Sequence, residues 1–269
     1  MEFSPGSVFS GFFRPGRAVA AGCALVLAAG CACSREGKVA QFSTIDALLA
    51  GVYDGEFSTA EVARHGNLGL GTFDRLDGEM VVDGKIYQVT ADGAVHRVPG
   101  SLHTPFATVT RFRPDQTVRP ASPLSLSALE RTLDRLCPNP NGIYAIRIRG
   151  DFSGVKTRSV KAQEKPYREL VEAVKDQSVF ALGTVRGTVV GFRFPAYFKG
   201  INAPGYHLHF LSEDRRRGGH LLGLTVSAGA VIETRACSRF EMFLPGSKSG
   251  FSRAALDRDR STDLQKVER

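Results

Sequence analysis

Residues 79–89 read EMVVDGKIYQV, two strand-like runs on either side of the pair Asp83-Gly84. An Asp-Gly pair between such runs is the pattern of a tight β-hairpin, because glycine accepts the positive φ that the turn needs. Glycines separate most of the later strand-like runs, so we predict a chain rich in antiparallel strands. These runs are residues 107–112, 144–152, 180–185, 188–194, 206–211, 220–227 and 231–234.

Helical periodicity is confined to short segments before and between these strands. Apolar spacing indicates a helix around Ile45, and Ser58 and Ser127 each stand three residues before a Glu, the spacing of a capping box. Pro166 begins a further apolar segment that we expect to be helical. Short helices among hairpin-linked strands predict an α+β fold with mixed or antiparallel sheets and flanking helices.

A proline-containing connector at residues 114–123 divides the pattern into two lobes. We predict an N-terminal α+β lobe at residues 39–120 and a C-terminal α+β lobe at residues 121–269. The histidine cluster described below belongs to the C-terminal lobe.

The first 30 residues have the pattern of an export signal. Two arginines precede an apolar run, residues 18–30, that is shorter than the ~20 residues of a membrane-spanning helix. The run ends in LAAGC at residues 27–31, which resembles the signal of bacterial lipoproteins, whose cysteine carries the lipid. We therefore expect a signal peptide at residues 1–30 and an exported, periplasmic or extracytoplasmic protein that touches a membrane only through a lipid on Cys31. Plain secretion is the alternative.

The composition is that of an ordinary globular protein. The chain has 269 residues, 42% of them hydrophobic, and Lys+Arg 35 against Asp+Glu 27 give a net charge of +8. This balance excludes a disordered or fibrous protein. Arg215–Arg217 is the only tight basic run, and no basic stripe alternates with aromatic side chains, so we expect no nucleic-acid partner.

Two cysteines, Cys137 and Cys237, lie outside the N-terminal region. Their spacing is not that of a metal site, and neither is flanked by the residues of a cysteine nucleophile. One disulfide and two buried thiols are both compatible with the sequence.

The sharpest chemical signal is His207-Leu208-His209, followed by His220. On a strand, side chains at i and i+2 lie on one face, so His207 and His209 project together. A polar segment that ends in glycines then returns the chain, so that His220 on the neighbouring strand faces the same way. Three imidazoles around one centre form a zinc site with open positions for substrate oxygen.

A second interpretation uses the same histidines differently. His207, His209 and Glu213 also match the first metal motif of cupin barrels, in which the glutamate is a ligand. A cupin takes a further histidine from a much later strand, and none follows His220 here. A cupin-like metal lyase is therefore kept as an alternative.

Two other side chains have the character of catalytic groups. Glu79 precedes the apolar run Met80–Val82, and burial there raises the pKa of a carboxyl, as a proton donor requires. Arg158 lies in a mixed-charge segment, where a guanidinium at a strand end can hold a substrate carboxylate by two hydrogen bonds. A solvated hairpin end and a solvated surface are the respective alternatives.

Five blocks of the sequence, taken in order, resemble bacterial alpha-acetolactate decarboxylase. The resemblance extends from about residue 40 to the C-terminus. No single block is specific, whereas five in the right order are. The blocks are TFDRLDGE at 72–79, TPFA at 104–107, TRSV at 157–160, QEKPY at 163–167, and GYHLHFL with GGH within 205–220.

The resemblance implies a carboxy-lyase that uses Zn²⁺ to convert 2-acetolactate to acetoin and CO2 in acetoin biosynthesis. It also implies a two-lobed homodimer with a small-molecule substrate. By motif position, the zinc ligands are His207, His209 and His220, and the polar groups of the active site are Thr72, Glu79 and Arg158. The family further places a carboxylate from the end of the chain at the metal. Glu268 is our candidate, and Asp263 is the other acidic residue nearby.

Decarboxylation explains why such residues are needed. Loss of CO2 from acetolactate leaves an electron pair as an enediolate, and zinc chelating the hydroxyl and ketone oxygens stabilises that charge. We expect Arg158 to orient the departing carboxylate, Glu79 to protonate the enediolate, and Thr72 to orient Glu79 or a substrate oxygen. The alternatives from other classes are an exported zinc-binding or small-ligand-binding lipoprotein without catalysis, and a zinc hydrolase.

Overall fold

The computed structural model of the protein describes residues 37–268. The predicted signal peptide and Cys31 lie outside these residues. The helices are α1 Ile45–Leu49, α2 Thr59–His65, α3 Leu126–Leu136, α4 Leu170–Ala173 and α5 Ser261–Val267. The strands are β1 Gly37–Phe42, β2 Phe57–Ser58, β3 Leu68–Thr72, β4 Glu79–Asp83, β5 Lys85–Val89, β6 Val95–Arg97, β7 His103–Thr104, β8 Ala107–Thr110, β9 Gln116–Val118, β10 Leu124–Ser125, β11 Ile143–Ser159, β12 Ser178–Phe194, β13 Gly205–Ser212, β14 Gly218–Val226 and β15 Val231–Phe243.

Most strands belong to one mixed sheet. Its order is β10-β14-β13-β12-β11-β15-β1-β8-β3-β4-β5-β6, with β9 beside β15, while β2 and β7 form a separate pair. β1 and β15 run parallel, and the other neighbours in the sheet are antiparallel. The α+β class with a mixed sheet is thereby confirmed.

Strands β11 to β14 close on themselves, because β14 pairs with β13 on one side and with β11 on the other. The rings of Phe152 and Phe210 meet edge to face at 5.6 Å in the core of this closed unit, and both are 0% exposed. Such a packed ring of strands is a rigid support for side chains that project from β13 and β14.

A second core cluster connects this unit to the hairpin with which the sequence analysis began. Val81 and Val89 of the hairpin pack in one cluster with Val190 of β12 and Leu211 of β13. Their burial holds β4 against β13, so that residues at the start of β4 face the histidine-bearing strands.

Local signals predicted several elements correctly. The β4–β5 hairpin turns at Gly84, whose φ is +71°, and Asp83 lies opposite Lys85. Helix α2 starts after Ser58, whose Oγ accepts a hydrogen bond from the Glu61 backbone N–H at 3.2 Å.

The predicted cap of α3 was wrong by two residues. The N-cap is Ser125, whose Oγ accepts from the Ala128 N–H at 3.4 Å, and not Ser127. The reason is tertiary: Ser125 lies opposite Thr225 of β14, so the chain stays extended up to Ser125 and the helix begins immediately afterwards.

The predicted helix start at Pro166 was also wrong, because α4 begins at Leu170. The segment between them is held by side-chain contacts outside any helix. The Tyr167 hydroxyl donates to Asp54 at 2.8 Å, and Arg168 donates to Gln163 at 3.0 Å.

The two strands predicted at residues 180–185 and 188–194 are one strand, β12. Gly187 does not break it. A side chain at Gly187 would lie 2.5 Å from the Leu211 carbonyl oxygen of β13, so the glycine permits a close approach of two paired strands instead of a turn.

The two predicted lobes share the main sheet, since β1 pairs with β15, and their boundary near residue 120 stays a prediction. Cys137 and Cys237 are free and buried, so of the two alternatives the structure contains two thiols. Within residues 37–268, no helix combines the length and apolarity needed to span a membrane.

Candidate active site

Neighbouring strands bring the three predicted histidines together. His207 and His209 lie on β13 with one residue between them, and His220 on β14 is the register partner of His209. The ring centroids are 5.1 to 5.3 Å apart in all three pairs. One ligand atom from each residue lies within 4.8 Å of the others, which is the convergence that the i, i+2 spacing predicted.

Burial keeps these imidazoles in the neutral form that binds metals. The three residues are between 1% and 7% exposed. Burial lowers the pKa of His207 to about 3 and holds the pKa values of His209 and His220 well below the ordinary 6.5. Neutral imidazole is the form that coordinates a metal.

The hydrogen bonding of the site fits a bound metal ion. The His209 Nδ1–H donates to the Met80 carbonyl at 2.8 Å, so the lone pair of Nε2 is free. Three buried atoms have no hydrogen-bond partner among residues 37–268: His209 Nε2, His207 Nδ1 and Glu268 Oε2. Buried polar atoms are normally satisfied, and a divalent cation bound among these three would satisfy them at once.

Glu79 is buried at the start of β4, as the apolar residues that follow it predict. It is 7% exposed, and its carboxylate oxygens lie 3.5 Å from His209 Nε2 and 3.5 Å from Arg158 Nη1. Burial raises the pKa of Glu79 to about 7, against the opposing effect of Arg158 and with a further increase from Glu268. The carboxyl therefore takes up and releases a proton near neutral pH.

Arg158 is buried near the end of β11, opposite His220. Its Nη2 donates to the Val267 carbonyl at 2.8 Å, and its Nε has no partner in the described chain. A buried guanidinium with a free N–H is suited to hold a substrate carboxylate.

The end of the chain reaches the same pocket through α5. Leu264 and Val267 of this helix are buried in a core cluster, and Glu268 follows with its Oε2 3.7 Å from His207 Nδ1. Burial raises the pKa of Glu268 to about 7, with Arg158 acting in the opposite direction. Asp263 instead lies 3.7 Å from Lys266 on the surface side of α5, so Glu268 is the carboxylate that the structure brings to the histidines.

Thr72 lines the pocket, but its hydroxyl is hydrogen-bonded to the protein backbone. Its hydroxyl donates to the Gly78 carbonyl at 2.7 Å, and Thr72 lies opposite Glu79 in the β3–β4 register. The hydroxyl thus closes the turn that immediately precedes Glu79.

One wall of the pocket was missed by sequence reasoning because its members come from distant segments. The pocket has a volume of about 40 Å³, and its apolar wall comprises Ile45, Leu48, Leu76, Phe106, Val160, Leu170 and Val267. Leu76 lies in the quoted block 72–79 and has a φ of +63°, a conformation that L side chains rarely adopt. An apolar wall facing a few placed polar groups is the usual lining of a small-molecule site.

The cupin interpretation is not supported. Glu213 is exposed, and its carboxylate lies 3.2 Å from Arg186, outside the histidine cluster. Fold and pocket together instead define an α+β protein with three buried histidines that could hold a metal ion, in a pocket also lined by two carboxyls and a guanidinium.

The chain belongs to the alpha-acetolactate decarboxylase family, whose family model matches residues 39–258. An alpha-acetolactate decarboxylase from Methanosarcina mazei is 50% identical over 231 residues, which are 85% of this chain and 79% of that protein. The alpha-acetolactate decarboxylase of Bacillus subtilis strain 168 is 39% identical over 232 residues, 86% of this chain and 91% of that protein.

The crystal structure of the Bacillus subtilis strain 168 alpha-acetolactate decarboxylase has the same fold, with a TM-score of 0.83 at 39% identity over 86% of this chain and 99% of that chain. A Staphylococcus aureus protein, described as similar to alpha-acetolactate decarboxylase, gives a TM-score of 0.82 at 28% identity. The family predicted from the five sequence blocks, and with it an enzyme of the carboxy-lyase class, is confirmed.

Proposed function

We propose that this protein decarboxylates 2-acetolactate to acetoin and CO2 with the help of a zinc ion. The observation that carries the proposal is the convergence of three neutral imidazoles, two carboxyls and one guanidinium in a single buried pocket. Metal binding alone does not require Arg158, because a buried positive charge is costly unless a partner of opposite charge compensates it.

His207, His209 and His220 would hold the zinc ion, and Glu268 lies beside them as a fourth candidate ligand. Bound there, zinc supplies Lewis-acid stabilisation of negative charge that develops on neighbouring substrate oxygens. With a divalent ion and Arg158 present, the pocket carries a net positive charge in either protonation state of Glu79, which complements a monoanionic substrate.

Arg158 holds and orients the substrate carboxylate in this proposal. Its Nε–H has no partner within the part of the chain that the structure describes, while its Nη1 and Nη2 are directed to Glu79 and to the Val267 carbonyl. A carboxylate held in this way fixes the orientation of the C–C bond that is cleaved. The activation barrier is lower because the orientational entropy is already lost when the substrate binds.

Glu79 supplies the proton that completes the reaction. When the bond to the carboxylate breaks, its electron pair passes into the neighbouring ketone to give an enediolate, and CO2 departs. The protonated Glu79 carboxyl then delivers its proton to the carbon that lost CO2, which yields acetoin. Its pKa of about 7 allows the carboxyl to be protonated again from water near neutral pH. Thr72 supports this step through its hydrogen bond to Gly78, the residue before Glu79.

The deciding experiment is incubation of purified, zinc-loaded protein with acetolactate, with acetoin and CO2 both quantified. We expect one acetoin for each CO2, at a rate that scales with bound zinc. Zinc binding without turnover would identify a non-catalytic binding protein, and release of other products would identify a different lyase or a hydrolase. Elemental analysis of protein purified without added metal tests zinc as the resident ion.

We also propose that the protein is exported with a lipid on Cys31 and acts as a homodimer. Both proposals rest on the sequence: the LAAGC pattern at residues 27–31 and the family resemblance. Incorporation of labelled palmitate that is lost in Cys31→Ala tests the anchor. Light scattering of protein that starts at residue 37 tests the dimer, and a monomeric mass at working concentration would end that proposal.

A further inference from the structure

Two buried hydroxyls flank the arginine of the pocket. Thr157 and Ser159 stand on either side of Arg158 near the end of β11, and both are 0% exposed. The Thr157 hydroxyl donates to the Gly218 carbonyl of β14 at 2.8 Å. The Ser159 hydroxyl donates to the Val89 carbonyl of β5 at 2.7 Å. Each hydroxyl therefore connects the strand of Arg158 to the backbone of a different strand.

The regular ladder of hydrogen bonds on β11 is interrupted shortly before Arg158. The β11–β14 register shifts between Lys156 and Thr157, and the β11–β12 register shifts between Val155 and Lys156. A bulge interrupts the ladder locally and redirects the side chains that follow it. Arg158 and His220 are paired directly after this irregularity, so side-chain hydrogen bonds beside it add to what sets their relative position.

Thr157 provides this constraint on the side of His220. At Gly219, the residue between Gly218 and His220, an added Cβ would lie 2.4 Å from the Arg158 carbonyl oxygen. The two backbones are thus in direct contact at this point. The Thr157–Gly218 bond fixes how far β14 slides along β11, and with it the position of His220 relative to the guanidinium.

Ser159 provides the corresponding constraint on the side of Glu79. Val89, whose carbonyl accepts the Ser159 bond, is the register partner of Glu79 in the β4–β5 hairpin. Val160, the residue that follows β11, accepts a hydrogen bond at its carbonyl from the Gly78 N–H at 3.0 Å. The end of β11 is thereby tied to both residues that flank Glu79 in space.

We propose that Thr157 and Ser159 are positioning residues: the first sets Arg158 against the metal-binding strand β14, and the second sets Arg158 against Glu79. The inference rests on the proposed function, because it assigns the two hydroxyls to the alignment of groups used in that reaction. It predicts different consequences for the two hydroxyls, which a purely structural role would not produce.

The test compares Thr157→Val and Ser159→Ala with a matched control, Thr110→Val. Thr110 is also 0% exposed, and its hydroxyl donates to the Lys38 carbonyl across two strands at 2.7 Å, away from the pocket. Three quantities are measured for each variant: zinc affinity against a competing chelator, affinity for the stable analogue 2-hydroxy-2-methylpropanoate, and kcat and KM for acetolactate.

We expect Thr157→Val to weaken zinc binding by roughly 10- to 100-fold, as loss of a residue that supports a metal ligand does, and Thr157→Ser to restore it. We expect Ser159→Ala to keep its zinc affinity while analogue binding and kcat/KM fall by roughly 10- to 100-fold, the scale for a displaced orienting group. Thr110→Val should lose thermal stability without changing zinc affinity, analogue binding or kcat/KM.

The inference is overturned if Thr157→Val and Ser159→Ala behave like Thr110→Val. If Thr157→Val does not fold, Ser159→Ala still tests whether Ser159 positions Arg158 against Glu79. The comparison of Thr157→Ala with Thr157→Ser then tests whether Thr157 positions Arg158 against β14. If the wild type binds zinc and the analogue but does not decarboxylate acetolactate, the proposed function fails, and the two binding measurements still decide the positioning roles.

Discussion

Replacement of Glu79 by Gln isolates the proton that the reaction needs. Gln has nearly the same shape and keeps its contacts with Arg158 and His209, which lie 3.5 Å away, but it carries no acidic proton. At pH 7 a carboxyl with a pKa of about 7 is about half protonated, whereas one with the ordinary carboxyl pKa is protonated in well under ~1% of molecules. The structure thus keeps a proton at this position that the variant cannot supply.

We expect kcat for acetolactate to fall by roughly 10²- to 10⁴-fold in Glu79→Gln, the usual contribution of a general acid, which corresponds to about 3 to 5 kcal/mol of barrier. Zinc content should stay at the wild-type level, because the three imidazoles are unchanged. The assay combines acetoin formation under saturating substrate with elemental analysis of the same samples.

Glu233→Gln is the matched control. Glu233 is a 5% exposed carboxylate bonded to Arg147 at 2.8 Å, on a part of the sheet that does not line the pocket. Its variant should lose stability by about 1–3 kcal/mol, typical of a broken charge-assisted hydrogen bond, and keep its turnover. A Glu79→Gln enzyme with normal kcat would refute the assignment of the proton donor, and one that loses zinc would make Glu79 a metal-binding residue instead.

Three further outcomes are expected. His209→Ala should lose zinc and activity together, and a metal-free variant with full activity would contradict the zinc model. Deletion of the last two residues, which removes Glu268, should weaken zinc retention and lower kcat/KM; an unimpaired truncation would remove the end of the chain from the site. In the metal-free protein, the three buried imidazoles stay neutral below about pH 6.5, where the same histidines become protonated in the unfolded chain. Glu79 and Glu268 act in the opposite direction, because with pKa values of about 7 they are protonated in the folded protein before they are in the unfolded chain. Between about pH 6.5 and 4.5 the unfolded chain therefore binds three more protons at the histidines and two fewer at the carboxyls. The net difference of one proton should lower the contribution of the site to the free energy of unfolding by about 1.4 kcal/mol for each pH unit from 6.5 down to 4.5. Below about pH 4.5 the carboxyls are protonated in both states and no longer offset the histidines, so the contribution should fall more steeply. Urea unfolding of chelator-treated protein at a series of pH values measures it, and a metal-free protein that becomes more stable on acidification over this range would refute it.

Signals carried by neighbouring residues were read correctly from the sequence. The Asp83-Gly84 turn, the cap at Ser58 and the shared face of His207 and His209 depend on contacts a few residues apart, and all three are present in the structure. The burial of Glu79 was also indicated, because the apolar residues that follow it predict a strand that enters the core.

The errors have a common origin in contacts between distant segments. Ser125 caps α3 because β14 holds it extended, and Gly187 continues β12 because β13 lies too close for a side chain. The residues next to Ser125 and Gly187 carry no signal for the position of β14 or β13. A local pattern lists the conformations that a segment accepts, and the partner strand selects among them.

The amino-acid sequence by itself determined the chemistry available to this protein: which imidazoles share a strand face, which carboxyl enters an apolar run, and which family the five blocks resemble. Only the tertiary structure decided how these groups meet. The position of Glu268 beside His207, the contact of Arg158 with Glu79 and the hydrogen bond of His209 to the Met80 carbonyl depend on packing between segments far apart in the sequence. The physical reason is that periodicity and capping are properties of a few successive residues, whereas desolvation, the resulting pKa shifts and the convergence of ligands exist only after remote segments have excluded water together.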